Sequence, residues 1–149
     1  MFAPQRILVP TDFSTHADTA LKKAVDIAVQ HKAKIFLLHV IDEQIQQCAV
    51  DYCLPAGLTA QLEAESLNQA GEKLKKEAEA IAEVRQVDIV FDVQKGSPAD
   101  VIIKEQKAKD VDLIVIASHG RTGISKYLIG SVTDKVVRGA ACTVIVVKP

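Results

Sequence analysis

Five short runs of apolar, mostly β-branched residues divide the chain, and nearly every position within each run is hydrophobic. The runs are Arg6 to Pro10, Lys34 to Val40, Val87 to Val93, Asp112 to Ala117 and Thr143 to Val147. A strand with one face in water alternates apolar and polar residues, whereas a strand covered on both faces does not. The runs therefore predict buried strands of a parallel sheet that lies between layers of helices.

The intervals between the runs carry the three- and four-residue spacing of amphipathic helices. The first interval shows it at Ala17, Leu21, Ala24, Val25 and Ala28. A second helix is predicted over Leu62 to Glu83. A third is predicted from Ser97, as a capping serine before a proline, and a fourth from near Gly130. The alternation of strand and helix predicts a doubly wound α/β domain.

Two stretches, Asp42 to Gly57 and Arg121 to Ile129, fit neither pattern and are predicted as loops. Loops of this length within a compact domain are often functional.

The size and composition limit the possible functions. The chain has 149 residues, 48% of them apolar, which suffices for one core but not for two, so we expect a single domain over residues 1–149. Its 18 basic and 19 acidic residues nearly cancel, whereas nucleic-acid-binding proteins usually carry a basic excess. Aromatic residues make up only 4%, too few for a base-stacking surface. Nucleic acid is therefore not expected as a partner.

The N-terminus and the cysteines indicate the compartment. The N-terminus lacks the charged leader and long apolar region of a secretory signal. The uncharged stretch Gly139 to Val147 is far too short to span a bilayer. Cys48, Cys53 and Cys142 have neither CxxC spacing nor a neighbouring histidine, which argues against disulfides and zinc. We expect a cytoplasmic protein with reduced thiols, no membrane contact and no protein-held metal.

Candidate chemistry follows the strands, because open parallel sheets bind ligands beyond the carboxyl ends of their strands. Asp12 follows the first run and Asp42 the second, while glycines at 120 and 123 follow the fourth. Gly130 to Thr133 begins the last helix. Glycines and a helix N-terminus together can form a phosphate cradle, to which Ser131 and Thr133 could add hydroxyl or metal contacts. The same residues also suit ordinary turns and caps, so both interpretations stay open.

The spacing of these segments resembles that of the universal stress protein family. The resemblance covers essentially the whole chain. Its residues are Ile7-Leu8-Val9-Pro10-Thr11-Asp12, Leu38-His39-Val40, Gly96-Ser97-Pro98, Ala117-Ser118-His119-Gly120, then nine residues, then Gly130-Ser131, and a last strand ending Val144-Ile145-Val146-Val147-Lys148.

This resemblance implies a Rossmann-like five-stranded parallel sheet with strand order 3-2-1-4-5, helices on both faces, and an ATP site between the first and fourth strands. The nucleotide-binding branch of the family carries Gly-x-x-Gly, nine residues, then Gly and Ser or Thr. Gly120 and Gly130 match the second and third glycines. Ala117 replaces the first, which adds a methyl group where the family backbone lies close to the nucleotide.

Carried over by position, the resemblance implies that Asp12 bonds the ribose and that the Val40 backbone reads adenine. The phosphates would lie on the amides of Gly120, Gly130, Ser131 and Val132. The site would also be lined or flanked by Pro10, Thr11, Ala117, His119, Arg121 and Thr133. The implied cofactor is ATP with Mg²⁺ or Mn²⁺.

The resemblance also implies a homodimer and a role in the stress response. In the implied strand order, the last strand, Thr143 to Val147, lies at the sheet edge and is apolar and uncharged until Lys148. Such an edge tends to pair with another chain, and a two-fold axis pairs identical edges. We therefore expect a homodimeric stress-response sensor or regulator that binds ATP. The alternative is a homodimer that acts without nucleotide through an unidentified protein partner.

Asp12, His39 and the chain as a whole each allow a second interpretation. Asp12 could cap the first helix, and His39, within an apolar strand, is expected to be a hydrogen-bonded core residue. A phospho-acceptor receiver domain is rejected, since the third run leads into Val93-Gln94-Lys95-Gly96 without an aspartate. A nucleotide hydrolase is disfavoured, because the sequence has no P-loop and no carboxylate pair placed to hold Mg²⁺. At most, slow ATP hydrolysis is expected.

Overall fold

The computed structural model describes residues 1–43, 56–120 and 128–149. Within these ranges strands and helices alternate as predicted. The elements are β1 Arg6–Pro10, α1 Thr15–His31, β2 Lys34–Asp42, α2 Ala56–Arg85, β3 Ile89–Gly96, α3 Pro98–Ala108, β4 Leu113–Ala117, α4 Ser131–Gly139 and β5 Thr143–Val147. Parts of both predicted loops lie outside the described residues, and so do Cys48, Cys53 and Arg121.

The strands form one parallel sheet in the order β3-β2-β1-β4-β5, which confirms the predicted fold class. β1 lies at its centre, where Ile7 pairs with Ile35 of β2 on one side and with Leu113 of β4 on the other. The chain runs outward from β1 through β2 to β3 and then crosses to β4. The switch point therefore lies between β1 and β4, where ligands of such sheets bind.

Helices cover both faces of the sheet. On one face, α1 and α2 pack on Ile7, Val9 and Val115, and we call this core the α1–α2 cluster. On the other face, residues of α3 and α4 pack on Leu8 and Ile114, and we call this core the α3–α4 cluster. The predicted burial on both faces is confirmed for the central strands β1 and β4. Among the described residues, no helix is long and apolar enough to cross a membrane.

The prediction of burial on both faces is wrong for β3. Val90 and Phe91 are 37% and 40% exposed, because β3 is an edge strand that the helices cover incompletely. Several boundaries also differ from prediction. The β2–β3 ladder continues to the pair Asp42 and Gly96, since backbone bonds extend beyond the apolar runs. The second helix, α2, is longer than predicted at both ends.

The helix starts confirm one predicted signal and correct another. α3 begins at Pro98, as predicted, with Ser97 at the N-cap position. The Ser97 side chain, however, makes no capping hydrogen bond within the described part of the chain. The fixed φ of Pro98 and the favourable charge of Asp100 in the first turn suffice to start the helix.

Candidate functional site

The turn after β1 fixes the position of the Asp12 carboxylate. The Thr11 amide donates to the Leu38 carbonyl at 2.8 Å, which ties the turn to β2. The Ser14 amide donates to Oδ1 of Asp12 at 3.0 Å. The N-cap of α1 is Ser14, whose Oγ accepts from the Ala17 amide at 3.1 Å. Asp12 therefore does not cap the helix, and its carboxylate is held in a local turn beside the cap.

An aromatic stack holds the same turn from the side of β2 and α2. Phe13 adopts a left-handed backbone conformation with φ 62°, which is rare for a bulky residue. Its ring lies 4.5 Å from the His39 ring, and Nζ of Lys73 lies 4.3 Å from its centroid. Nδ1 of His39 donates to the Thr11 carbonyl at 2.8 Å. The predicted hydrogen bonding of His39 is confirmed, although its side chain is half-buried rather than fully in the core.

Gly120 lies directly against the Asp12 carboxylate. A Cβ atom at position 120 would lie 2.7 Å from Oδ2 of Asp12, which is closer than real Cβ atoms approach another atom. Only glycine therefore fits without displacing the carboxylate. This contact joins the segments that follow β1 and β4, and it lies at the switch point of the sheet.

The start of α4 packs on the end of β4. The Gly130 amide donates to the Ser118 carbonyl at 2.7 Å, and the Thr133 hydroxyl donates to the Ala117 carbonyl at 2.7 Å. A Cβ at Gly130 would lie 3.3 Å from the Ser118 oxygen. The packing of α4 on β4 therefore favours glycine at position 130 even if no phosphate group binds there. The Thr133 hydroxyl is buried in the same packing.

The first turn of α4 leaves backbone donors at this edge of the sheet. Its N-cap is Gly130, which has no side chain with which to cap the amides of the first turn. The amides of Ser131 and Val132 belong to this turn, where a helix carries a partial positive charge. A cavity of about 150 Å³ lies beside this helix start. Ser131, Val132 and Asp42 are among the residues that line it.

Ala117, the residue at the first glycine position of the motif, has its side chain in the hydrophobic core. It is 7% exposed and belongs to the α1–α2 cluster together with Val9 and Val115. Its methyl group thus packs against core residues. The cavity beside α4 lies on the opposite face of the sheet, because Val132, one of the residues that line it, packs on the α3–α4 cluster.

The remaining predicted residues surround this arrangement. His119 is buried, its Nδ1 lies 2.8 Å from Oγ of Ser118, and its ring lies 6.2 Å from that of His16. Pro10 ends β1 opposite Leu38. Val40 lies near the end of β2, with its side chain against the α3–α4 cluster.

The structure also shows features that sequence reasoning missed. Lys73 belongs to no motif, and only its contact with the ring of Phe13, the residue after Asp12, brings it to this turn. A second cavity, of about 200 Å³, lies over β2 and β3 and is lined by Leu8, Phe36 and Val90. These residues lie within the strands, so this cavity is not part of the strand-end site. Within the described ranges, no group of three or more His, Cys, Asp or Glu side chains could hold a metal ion.

Comparison with known proteins assigns the family. The model of the universal stress protein family matches residues 4–148. The chain is 33% identical over 144 residues to a universal stress protein of Methanocaldococcus jannaschii, a match that covers 97% of this chain and 82% of the relative. Its fold is similar to that of the universal stress protein UspA of Lactobacillus plantarum, with a TM-score of 0.82 and 28% identity over 97% of both chains.

A further similar structure is that of a universal stress protein in complex with cAMP, with a TM-score of 0.65 and 25% identity over 98% of both chains. The family match over nearly the whole chain and the 33% identity of the curated relative agree with the motif positions and the strand order. The chain therefore belongs to the universal stress protein family.

Proposed function

We propose that this single-domain protein binds ATP at the switch point between β1 and β4 and acts in the cytoplasm as a homodimeric stress-response sensor or regulator. The observation that carries the proposal is the contact between Asp12 and Gly120. It places a fixed carboxylate at the strand ends where sheets of this class bind ligands. The complex of a related universal stress protein with cAMP supports an adenine nucleotide as the ligand class.

The roles of the residues follow from their chemistry. Asp12 accepts hydrogen bonds from ribose hydroxyls, and the amides of Gly120, Ser131 and Val132 donate to phosphate oxygens. Gly130 keeps α4 close to β4, and its own amide bonds Ser118. Adenine is expected on the β1–β2 side of the site, which is formed by Pro10, Thr11 and the Val40 backbone. Mg²⁺ enters on the phosphates, since this ion usually keeps waters and substrate oxygens as ligands.

Calorimetric titration with ATP and Mg²⁺ tests the site. Asp12→Asn keeps the Oδ1 acceptor for the Ser14 amide but removes the charge, so we expect the dissociation constant to rise about tenfold while the fold is preserved. Asp18→Asn is the matched control, because Asp18 lies in the first turn of α1 on the exposed side. An absence of heat from the wild-type protein would refute ATP binding.

The homodimer is expected to form through β5. This strand is an edge of the sheet and carries no charge, whereas the opposite edge strand, β3, contains Asp92 and Lys95. Charged residues protect an edge against pairing, so β5 is the edge that favours association. The Val147 carbonyl accepts from the Ser118 amide at 2.9 Å, so the alternate residue Val146 directs its amide away from β4.

Val146→Pro should therefore weaken the dimer without breaking the β4–β5 ladder, because the proline removes an outward donor. Val146→Ala keeps the amide and is the matched control. Sedimentation velocity at micromolar concentration measures the association, and a monomeric wild-type protein would contradict the proposal. A stable wild-type dimer that binds no ATP would instead favour the alternative, a nucleotide-independent protein that acts through partners.

A further inference from the structure

The cavity of about 200 Å³ over β2 and β3 lies on the face of the sheet that carries the α3–α4 cluster. Leu8, Phe36 and Leu38 of that cluster are among its lining residues. Val90 pairs with Phe36 across the β2–β3 ladder and is 37% exposed, so the described helices leave this part of the sheet open. An apolar protein cavity of roughly 150 Å³ holds a benzene molecule. The volume and the lining therefore suit one aromatic ring with a short substituent.

Three cationic side chains surround the ring of Phe36 at this cavity. The guanidinium carbon of Arg6 lies 5.2 Å from the ring centroid, and Nζ of Lys34 and Nζ of Lys109 lie 5.8 and 5.9 Å from it. Nε of Arg6 donates to the carbonyl of Lys109, which itself lines the cavity. The ring and this hydrogen bond together hold the guanidinium group at the rim of the cavity.

The charge of Arg6 is not balanced by a neighbouring acid. Lys34 pairs with Asp88 at 3.4 Å, and Lys109 pairs with Glu105 of its own helix. Arg6 forms no ion pair with any residue in the described ranges. Its one side-chain hydrogen bond to a described residue uses Nε, so both terminal nitrogens remain available to an acceptor. A guanidinium group presents these donors as a planar fork that matches a carboxylate.

Two other carboxylates in this region leave the fork of Arg6 accessible. Asp112 accepts from the backbone amide of Arg6 at 3.2 Å rather than from its side chain. Asp92 lines the cavity and pairs with Leu38, four residues along β2 from Lys34. Four residues of a strand span roughly 13 Å. The cavity is therefore positive at the end near Arg6 and negative at the end near Asp92.

We propose that this cavity is a second ligand site, which binds a small aromatic monocarboxylate. The carboxylate accepts two parallel hydrogen bonds from Arg6, and the ring of the ligand packs between Phe36 and Val90. Asp92 repels a second carboxylate at the far end of the ligand, so the site selects a single negative charge. Arg6 begins β1, at the end of the sheet opposite the switch point. The proposal thus goes beyond nucleotide binding and does not depend on it.

Titration with phenylpropanoate, followed by the amide signals in two-dimensional NMR spectra, tests this site. The signals of Phe36 and Val90 should shift, whereas those of Gly120 and Ser131 should stay in place. Phenylpropanamide keeps the ring but lacks the charge, so it should bind at least about tenfold more weakly. An analogue with a second carboxylate in the para position of the ring should also bind more weakly, because this group faces Asp92.

Variants at the two ends of the ligand provide the matched comparison. Arg6→Gln should weaken the binding of phenylpropanoate at least about tenfold, whereas Arg85→Gln, which removes the same charge from an ion pair between α1 and α2, should leave it unchanged. Val90→Trp fills the cavity without the loss of a charge and should abolish binding. Val29→Trp, at a position of α1 that is 46% exposed, is its control. Thermal unfolding checks that each variant is folded.

The outcomes separate this proposal from nucleotide binding. If phenylpropanamide binds as tightly as phenylpropanoate, or if Arg6→Gln and Arg85→Gln bind it equally, the carboxylate does not lie on Arg6 and the proposal is wrong. If the shifts appear at Gly120 and Ser131 and ATP displaces the acid, the acid occupies the strand-end site and the proposal is again wrong. An absence of binding at millimolar phenylpropanoate refutes it as well. Calorimetric titration with ATP measures the proposed function independently of each of these results.

Discussion

The change Ala117→Gly tests whether the departure from the glycine motif of the family affects ligand binding. Glycine at this position restores the family pattern by the removal of one methyl group. In the structure this methyl packs in the α1–α2 cluster beside Val9, while the cavity beside α4 lies on the other face of the sheet. We therefore expect the variant to lose stability and to gain little affinity for ATP.

The magnitude follows from the burial of Ala117, which is only 7% exposed. The loss of one buried methyl costs about 0.8 kcal/mol. Glycine within a strand costs roughly another 0.5 to 1 kcal/mol through the entropy of the unfolded chain. The sum of about 1 to 2 kcal/mol should lower the unfolding temperature by roughly 3 to 6 °C for a domain of this size.

Urea denaturation and calorimetric titration measure the two effects separately. The dissociation constant for ATP should agree with that of the wild-type protein within about twofold, a difference of less than 0.5 kcal/mol. Val115→Ala is the control for destabilisation alone, because Val115 lies in the same cluster two residues earlier in β4. If Ala117→Gly binds ATP at least about tenfold more tightly than wild type, a gain of about 1.4 kcal/mol, the methyl lies in the space of the ligand and our reasoning is wrong.

Two further predictions concern pH and turnover. Burial alone would raise the pKa of Glu105, but hydrogen bonds from Lys109 and Gln94 outweigh it and hold the pKa below its ordinary value. A carboxyl group whose pKa is lower in the folded protein than in the unfolded chain stabilises the fold above the unfolded pKa. This stabilisation is lost as the pH falls through the folded pKa. The variant Glu105→Gln should thus unfold at a lower urea concentration than the wild-type protein at pH 7. This difference in urea concentration should shrink below roughly pH 4. The control Glu79→Gln, at an exposed position, should show neither effect. ATP hydrolysis should stay below about 1 per second; steady phosphate release above that rate, abolished by His119→Ala, would identify a catalyst.

The parts of the fold that could be predicted are those that local sequence decides. The apolar runs around Leu8 and Ile114 indicate strands buried on both faces, and Pro98 marks the start of a helix. The exposure of Phe91 could not be predicted, since an edge strand and a central strand carry the same apolar residues. The position of a strand in the sheet depends on contacts that are distant in sequence.

The candidate site likewise has features that can be predicted from the sequence and features that only the fold reveals. Its glycines and Asp12 form a motif whose spacing can be read from the sequence, although the close approach of Gly120 to the Asp12 carboxylate is visible only in the fold. The side of the sheet to which Ala117 points could not be predicted, because every residue of the run Leu113–Ala117 is apolar and the pattern does not reveal its faces. Lys73 joins the site through a cation–π contact with Phe13 from a helix far along the chain.

Ser118 connects the candidate site to the edge that is expected to form the dimer. Its amide donates to the Val147 carbonyl of β5 at 2.9 Å, and its carbonyl accepts from the Gly130 amide at 2.7 Å. Its hydroxyl lies 2.8 Å from Nδ1 of His119. The first two bonds are made by the backbone, so a side-chain substitution other than proline keeps them, and only the contact with His119 depends on the serine hydroxyl. Asp12 and Val146 each belong to only one of these two features, so variants at these positions can assign an effect to nucleotide binding or to association.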